Sequence, residues 1–278
     1  MAYEITLLTT MAISVLFALS LNFISGFCGQ ISLGHAAFYG AGAYTSALLA
    51  KAGAPFLLTL LPAGLVAGAI GLIVGFASLR VRHDFLAITT MGVGFLFIGL
   101  VRQQDVLGGE LGISAIPSTG LGKAGFMVFA MALAALFAGF CVYVKRSWMG
   151  FVYDSIADNE DVSEIIGIPV SRYKLIAFAI GTAVAGVAGG LYAHHVRFIA
   201  PDSFGFVESV TVLAMVIVGG IGSIWGVAFA AAFLSVLPLW FQPIDDFKIL
   251  LYGALLFAMM RFSPGGLAGL VSRMRSRP

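Results

Sequence analysis

Residues 147–174 read SWMGFVYDSIADNEDVSEIIGIPVSRYK. This is the longest polar interval in a chain of 278 residues that is 60 % hydrophobic. It carries five of the thirteen acids (Asp154, Asp158, Glu160, Asp161 and Glu164), and Lys145, Arg146, Arg172 and Lys174 bracket them. On either side the chain returns to uncharged apolar runs of membrane-spanning length. The interval therefore reads as a loop outside the bilayer that divides a lipid-embedded chain.

Composition supports that division. A mean hydropathy of +1.03 with 10 % charged residues excludes an ordinary soluble domain, whose surface needs far more charge. The length admits about eight to ten spans of about 20 residues with short loops. The 35 glycines suit closely packed membrane helices, in which small residues let backbones approach. Cys28 and Cys141 lie far apart in or beside apolar runs, so neither a disulfide nor a metal framework is implied. The opening, MAYEITLLTT, lacks the basic region of a signal peptide, and the first run is expected to be a retained span.

Working outward, apolar runs are expected at 5–25, 31–50, 55–79, 85–101 and 124–144 before the loop, and at 175–193, 207–221, 225–241 and 249–260 after it. Glycines interrupt the first two in GFCGQISLGH, and GGIGSIWG hinges the pair at 207–241. Gly64/Gly68, Gly71/Gly75 and Gly186/Gly190 are small-xxx-small pairs, read as packing devices like the glycines of YGAGAY. Arg80, Arg82 and His83 end the third run, 243–246 reads as a turn, and the tail ends in Arg273, Arg275 and Arg277. The expected class is all-α and polytopic, with eight or nine transmembrane helices. Residues 31–50 and 206–241 are candidates for broken or re-entrant segments. With nine spans, ten of the fifteen basic residues share one side, which places the N-terminus outside, and the C-terminus and the acidic loop in the cytoplasm; a re-entrant 31–50 alone would shift the parity and move the N-terminus inside.

Catalytic chemistry has no signature here. GxxxxGK[ST] is missing, and His, Cys and acids show no metal-ligand spacing. The apolar runs hold few ionisable groups, His35 and Glu208 among them, which counts against a proton- or ion-coupled carrier and against a channel with a charged filter. A conduit energised from elsewhere remains, and the central loop offers the handle. SIADNEDVSEIIGIP reads as a short helix that Ser155 or Asp158 can cap, with acids in its first turns, Gly167 as its stop and Pro169 beyond. Ile156, Val162, Ile165 and Ile166 give it an apolar stripe. Two readings stand for it: a surface that a cytoplasmic motor pushes, or a solvated loop with an incidental helix. Asn22, Gln30, Ser32, His35, Thr89 and Thr90 are polar groups at membrane depth. Each either lines a translocation path or serves as a cap, an interhelical hydrogen bond or a bond to its own preceding turn. The GGELG interval is either a landing site on the outer face or a plain loop. Glu208 is expected at the membrane interface, and His194 and His195 in an external loop.

The stretches at 21–49 (LNFISGFCGQISLGHAAFYGAGAYTSALL), 107–117 (LGGELGISAIP), 157–193 (ADNEDVSEIIGIPVSRYKLIAFAIGTAVAGVAGGLYA), 219–226 (GGIGSIWG) and 262–270 (FSPGGLAGL) together resemble the branched-chain amino acid ABC transporter permease family, LivM-type. Residues 147–174 look like its EAA-type loop. The resemblance implies one transmembrane permease domain over 1–278 with the ABC importer permease fold, 147–174 being the cytoplasmic coupling loop within it. It implies a multi-pass protein of the bacterial inner membrane, embedded in lipid. Its partners would be a related second permease in a heterodimer, two cytoplasmic ATP-binding subunits and a periplasmic substrate-binding protein. No nucleic acid is expected, and neither is a cofactor in this chain, since ATP and Mg would be handled by the partners. Asp161, Glu164 and Gly167 fall on the motif's acid and glycine positions. With Asp158 and Glu160 they make up the expected coupling set. Asn22, Gln30, Ser32, His35 and Thr89 are the expected pathway set. Phe151 stands where members commonly have arginine, Asp158 where a basic residue is frequent, and Val227 where proline is frequent. The implied cargo is a branched-chain or other neutral apolar amino acid. Urea, short amides and aromatic acids are the alternatives within the family, and a self-sufficient channel or carrier is the alternative outside it.

Overall fold

The computed structural model describes residues 2–78, 85–240, 248–262 and 265–269. Among the described residues the principal α-helices are α1 (Ala2–Cys28), α2 (His35–Lys51), α3 (Phe56–Ser78), α4 (Phe85–Gln103), α5 (Gly122–Arg146), α6 (Trp148–Asp158), α7 (Glu160–Ile165), α8 (Val170–Val196), α9 (Phe206–Gly219), α10 (Ile224–Trp240) and α11 (Lys248–Phe262). Short 3₁₀ turns at 105–107, 109–111 and 201–204, a helical turn at 266–269 and one two-residue strand pair are the other elements among the described residues. The strands β1 (Ile113–Ser114) and β2 (Phe198–Ile199) are antiparallel, with Ile113 opposite Ile199. They tie the α4–α5 connection to the end of α8.

Each expected apolar run holds a helix, but the first four residues of the 31–50 run, Pro55 and residues 220–221 lie outside the helices. Among the described residues, six helical segments are long and apolar enough to cross a membrane: α1, α3, α4, α5, α8 and 201–219, the last being a 3₁₀ turn leading into α9. The chain is thus an all-α polytopic membrane protein. The helices α2, α10 and α11, of 17, 17 and 15 residues, fall below that length. The charged end of the third run, the 243–246 turn and the arginine-rich tail lie outside the described residues.

Small residues set the closest helix contacts inside a core that also buries Phe23, Phe38, Phe178 and Leu16. On α3, Gly64, Gly68, Gly71 and Gly75 all face α8, meeting Val187, Ala183, Thr182 and Leu175 in turn. Gly186 of α8 packs on Ala63 and Ala67, and an added Cβ at Gly42 of α2 would overlap the Gly186 backbone. A Cβ at Gly189 would overlap the Tyr39 carbonyl. The three backbones therefore approach closely, as the small-residue spacing predicts. Large apolar side chains turn the other way: Leu61, Leu65 and Ile73 of α3 and Leu136 of α5 are each about 70 % exposed (69, 71, 71 and 70 %). Such exposed apolar side chains suit a lipid solvent, which is as apolar as they are.

Two breaks shape the rest. Between α1 and α2, residues 29–34 leave helical geometry at Gly29 (φ +66°), and Gly34 is pressed so closely on α4 that a Cβ would overlap the Thr90 carbonyl. Between α9 and α10, Gly220 (φ +102°) and Gly222 (φ +81°) turn the chain, and Ser223 Oγ accepts from Gly226 N (3.2 Å) to start α10. GGIGSIWG is therefore a helix break.

Gly189→Ala is expected to lower stability by about 1–3 kcal/mol through overpacking. Gly99→Ala, whose methyl would meet nothing within 4 Å, should leave stability unchanged. Thermal unfolding midpoints of the two detergent-solubilised variants check the contrast.

Candidate functional site

The acidic interval folds as two helices where the residues suggested one. The helix α6 ends at Asp158, Asn159 adopts an extended conformation (φ −161°, ψ 111°), and α7 starts afresh at Glu160. Neither Ser155 nor Asp158 is the cap. Asn159 Oδ1 accepts from Val162 N (3.1 Å), as a short polar side chain at N-cap does. Ser155 and Ser163 instead bridge the two helices through their hydroxyls (2.8 Å). Gly167 (φ +91°) ends the second helix as expected, in a conformation that favours glycine.

Burial divides the segment into an anchor and a face. Tyr153 and Ile156 of α6 are buried at 1 %, with the Tyr153 ring against Phe23, Phe27 and Tyr173. Ile156 therefore belongs to the anchor and drops out of the expected apolar stripe. Burial, with Cys28 and Tyr173 close by, pushes the Tyr153 phenol well above its ordinary range, so it is neutral at any working pH. Glu160 points inward and forms an ion pair with Lys174 at the start of α8, their side chains 16 and 8 % exposed. Glu160 therefore tethers α7 to the body. Asp158, Asp161 and Glu164 are exposed, as are Val162, Ile165 and Ile166, with Ile165 at 84 %. Acids and exposed aliphatics share this one face.

The same end of the bundle carries a clasp. Asn22 Oδ1 accepts from Gly222 N (2.9 Å), while Lys145 Nζ donates to Gly222 O (2.7 Å). Asn22, buried at 1 %, is thus committed to fixing the α9–α10 break against α1 and α5. The Gly26 backbone lies against Gly222 so closely that its added Cβ would fall 2.5 Å from Gly222 N.

The other expected pathway residues sit around the α1–α2 break. His35 is fully buried, its Nε2 shares a hydrogen bond with Ser20 Oγ of α1 (2.8 Å), and its ring stacks on Phe17. Gln30 and Ser32 do not cap α2, since Gly34 holds that position without a side-chain bond. Among the described residues, Ser25 Oγ, Gln30 Oε1, Ser32 Oγ and His35 Nδ1 are buried without a hydrogen-bond partner. On α4 it is the buried Thr90 that reaches this segment, accepting from Leu33 N (3.1 Å) while donating to Ala87 O (3.0 Å). Thr89 is its half-buried neighbour.

At the other end lie features that the residues alone did not disclose. The helix α8 runs 27 residues, about 40 Å at ~1.5 Å per residue, from Lys174 beside α7 to His194 and His195 in its last turn. The two histidines belong to that helix and not to a loop. They line a cavity of about 640 Å³ with Lys123, Arg197, Ser118 and Thr119. His195 also borders a second cavity of about 390 Å³ between α1, α2, α8, α9 and α10, which contains Glu208. Between the two, Thr10 Oγ1 and His195 Nε2 are 3.2 Å apart. The signal available in the sequence was an acid at the end of an apolar run, and only packing reveals that Glu208 lines a cavity.

Because Glu160 and Lys174 are largely removed from water, losing either partner strands a charge. Glu160→Gln or Lys174→Met is each expected to cost about 3 kcal/mol, with part recovered in the double variant. A double-mutant cycle on thermal stability measures it.

Comparison with known proteins places this architecture. Residues 4–263 match the family described as branched-chain amino acid transport system / permease component. The chain is 34 % identical to the high-affinity branched-chain amino acid transport system permease protein LivM of Salmonella typhimurium, over 95 % of this chain and 69 % of that protein. The Escherichia coli LivM is also 34 % identical, over 93 and 68 %. The E. coli permease protein LivH of the same system name is 24 % identical, over 91 and 90 %. No solved structure matches significantly. With six apolar spans packed on glycine and an amphipathic two-helix segment exposed at one end, the chain belongs to the branched-chain amino acid transport system permease family.

Proposed function

We propose that this chain is the membrane subunit of an ATP-driven importer of branched-chain, neutral apolar amino acids, and that α6–α7 receives the stroke of a cytoplasmic ATPase. The observation that carries the coupling assignment is the exposed face of α7. Val162, Ile165 and Ile166 at 51, 84 and 65 % exposure are costly in water, while Asp158, Asp161 and Glu164 beside them give the face a charge signature. A partner groove with apolar floor and basic rim fits that chemistry. Tyr153, Ile156 and the Glu160–Lys174 pair join the segment rigidly to α1 and α8, so a push on α7 is delivered to helices that contact the break at 29–34 and the outer cavities.

The relatives extend the reading. LivM and LivH of E. coli are two permease proteins carrying one system name, and both resemble this chain. That supports a second, related permease as the partner within the membrane. Two ATP-binding subunits, which hold the ATP and Mg, and a periplasmic binding protein complete the proposed assembly in the bacterial inner membrane. Counting α2, α10 and α11 with the six long spans among the described residues gives nine crossings. With α6–α7 inside, the N-terminus then lies outside and the C-terminus inside.

Glu164→Lys and Gly167→Asp are each expected to reduce amino-acid uptake about tenfold or more while ATP hydrolysis continues, by opposing the partner's charge or straining the φ +91° position. Uptake and phosphate release measured together in proteoliposomes holding the whole complex check this. Tight coupling in both variants would overturn the assignment of α7. Flux through this chain alone would replace the importer with a self-sufficient carrier.

A further inference from the structure

The break between α1 and α2 runs into the bundle and is not a surface loop. One end lies at α6: the three atoms nearest to a Cβ added at Gly29 all belong to Ala157, with Cα at 3.6 Å and Cβ at 3.9 Å. The other end lies at depth, because His35 Nε2 meets Ser20 Oγ, and Ser20 precedes Cys28, the end of α1, by eight residues. That is about 12 Å at ~1.5 Å per residue, well within the reach of a six-residue segment at ~3.3 Å each. Residues 29–34 therefore form a strut from the α6–α7 segment to the middle of the bundle.

The strut is held unequally. At its deep end Leu33 N donates to Thr90 Oγ1 of α4 and Ala36 N donates to Ser209 Oγ of α9, both at 3.1 Å, and Gly34 is pressed on the Thr90 carbonyl. At the α6 end Gly29 is exposed and turns at φ +66°, a conformation that glycine adopts freely. One end is thus a fixed point, and the other can move with α6.

On and beside the strut lie polar groups without a hydrogen-bond partner. Ser25 Oγ, Gln30 Oε1, Ser32 Oγ and His35 Nδ1 belong to residues that are all at least nine-tenths buried. The histidine proton can be placed. Ser20 Oγ gives its hydrogen to Phe17 O (2.6 Å), so it accepts from His35 Nε2–H, and Nδ1 keeps a bare lone pair. Unpaired groups at membrane depth are costly, and non-helical backbone there belongs where it lines a water-filled path or is packed in protein. A plainer role for residues 29–34 is a static spacer that lets α2 start at depth. A spacer needs the glycine joints but gains nothing from four unpaired polar groups, which apolar side chains of similar size would replace at less cost. A second state in which water reaches them accounts for their presence.

We propose that residues 29–34 are a gate of the permease, closed in this structure, which α6 opens by displacing Gly29 through Ala157 about the Leu33–Thr90 anchor, so that Ser25, Gln30, Ser32 and His35 become hydrated. Ala157 and Gly29 are positioning residues. The proposal rests on the coupling reading of α6–α7 and names what that segment moves.

The test uses the complete transporter in liposomes, with Cys141→Ala, so that Cys28, fully buried beside Gly29, is the reporter. A hydrophilic maleimide should label Cys28 about tenfold faster during ATP hydrolysis than without nucleotide, as for a shift from a closed to an open population. Ala157→Gly, which withdraws the group facing Gly29, should bring that ratio to about one while ATP hydrolysis continues, and Ala157→Ser, which keeps the Cβ, should retain it. The double variant Ser25→Ala, Ser32→Ala relieves the closed state alone. It should raise the thermal midpoint of the nucleotide-free complex by ~2 °C and cut both leucine uptake and ATP-stimulated labelling about fivefold. A lower midpoint in that variant, Cys28 labelling indifferent to ATP while uptake proceeds, or an unchanged ratio in Ala157→Gly would overturn the gate. If the wild-type complex showed ATP-dependent labelling without accumulating leucine, the amino-acid importer reading would fail and the gate would stand.

Discussion

The contact on which this protein depends is the close approach of α2, α3 and α8. In hydrocarbon, apolar side chains gain nothing by leaving solvent for one another, so helix association rests on van der Waals packing. That packing is strongest where backbones touch, and glycine permits it. Gly42 against Gly186, Gly189 against the Tyr39 carbonyl, and Gly71 against Thr182 bring the backbones closer than any Cβ allows. The hydroxyl of Ser46 adds a polar seam, bonded to Thr59 of α3 (2.8 Å) and His194 of α8 (3.1 Å). With α1 packed alongside, this rigid unit carries both functional ends of the molecule.

Rigidity matters because the two ends are far apart. One end presents α6–α7, held by Tyr153, Ile156 and the Glu160–Lys174 pair. The other holds the two cavities bordered by the last turn of α8. In the proposed importer, α8 is the direct mechanical link, since it starts against the receiving segment and finishes in the cavity wall. The softer elements lie beside it: the glycine break at 29–34 and the Gly220–Ser223 turn, where Asn22 and Lys145 clasp Gly222 from both sides. A displacement of α6–α7 reaches that clasp through Lys145, one residue from the end of α5.

Much of this was legible in residue order. Membrane helices announce themselves by length and hydropathy, and small-residue spacing marked Gly64, Gly68, Gly71, Gly75, Gly186 and Gly190 as packing positions, though not which helices they join. Gly167 as a helix stop follows from its neighbours alone. The local detail of the acidic segment was harder. Asn159 competes with Ser155 and Asp158 as a cap, and a run of acids is compatible with one helix or two. The inward turn of Glu160 depends on Lys174, whose proximity only α8 can supply. Ile156 reads as part of an amphipathic stripe until Phe23 and Tyr173 are found around its helix.

By itself the sequence determined an all-α membrane protein, the position of its largest polar interval, the glycines available for close packing and the family to which it belongs. These rest on composition and short-range spacing, which need no knowledge of what lies across the bundle. Tertiary structure decided which polar groups are tethers and which face open space. Asn22 turned out to be committed to Gly222, and Glu208 and His195, read as interface and loop, border a cavity. The reason is that a cavity is made by side chains from five helices remote in sequence. Its charge is a sum over those walls, and no local pattern records it.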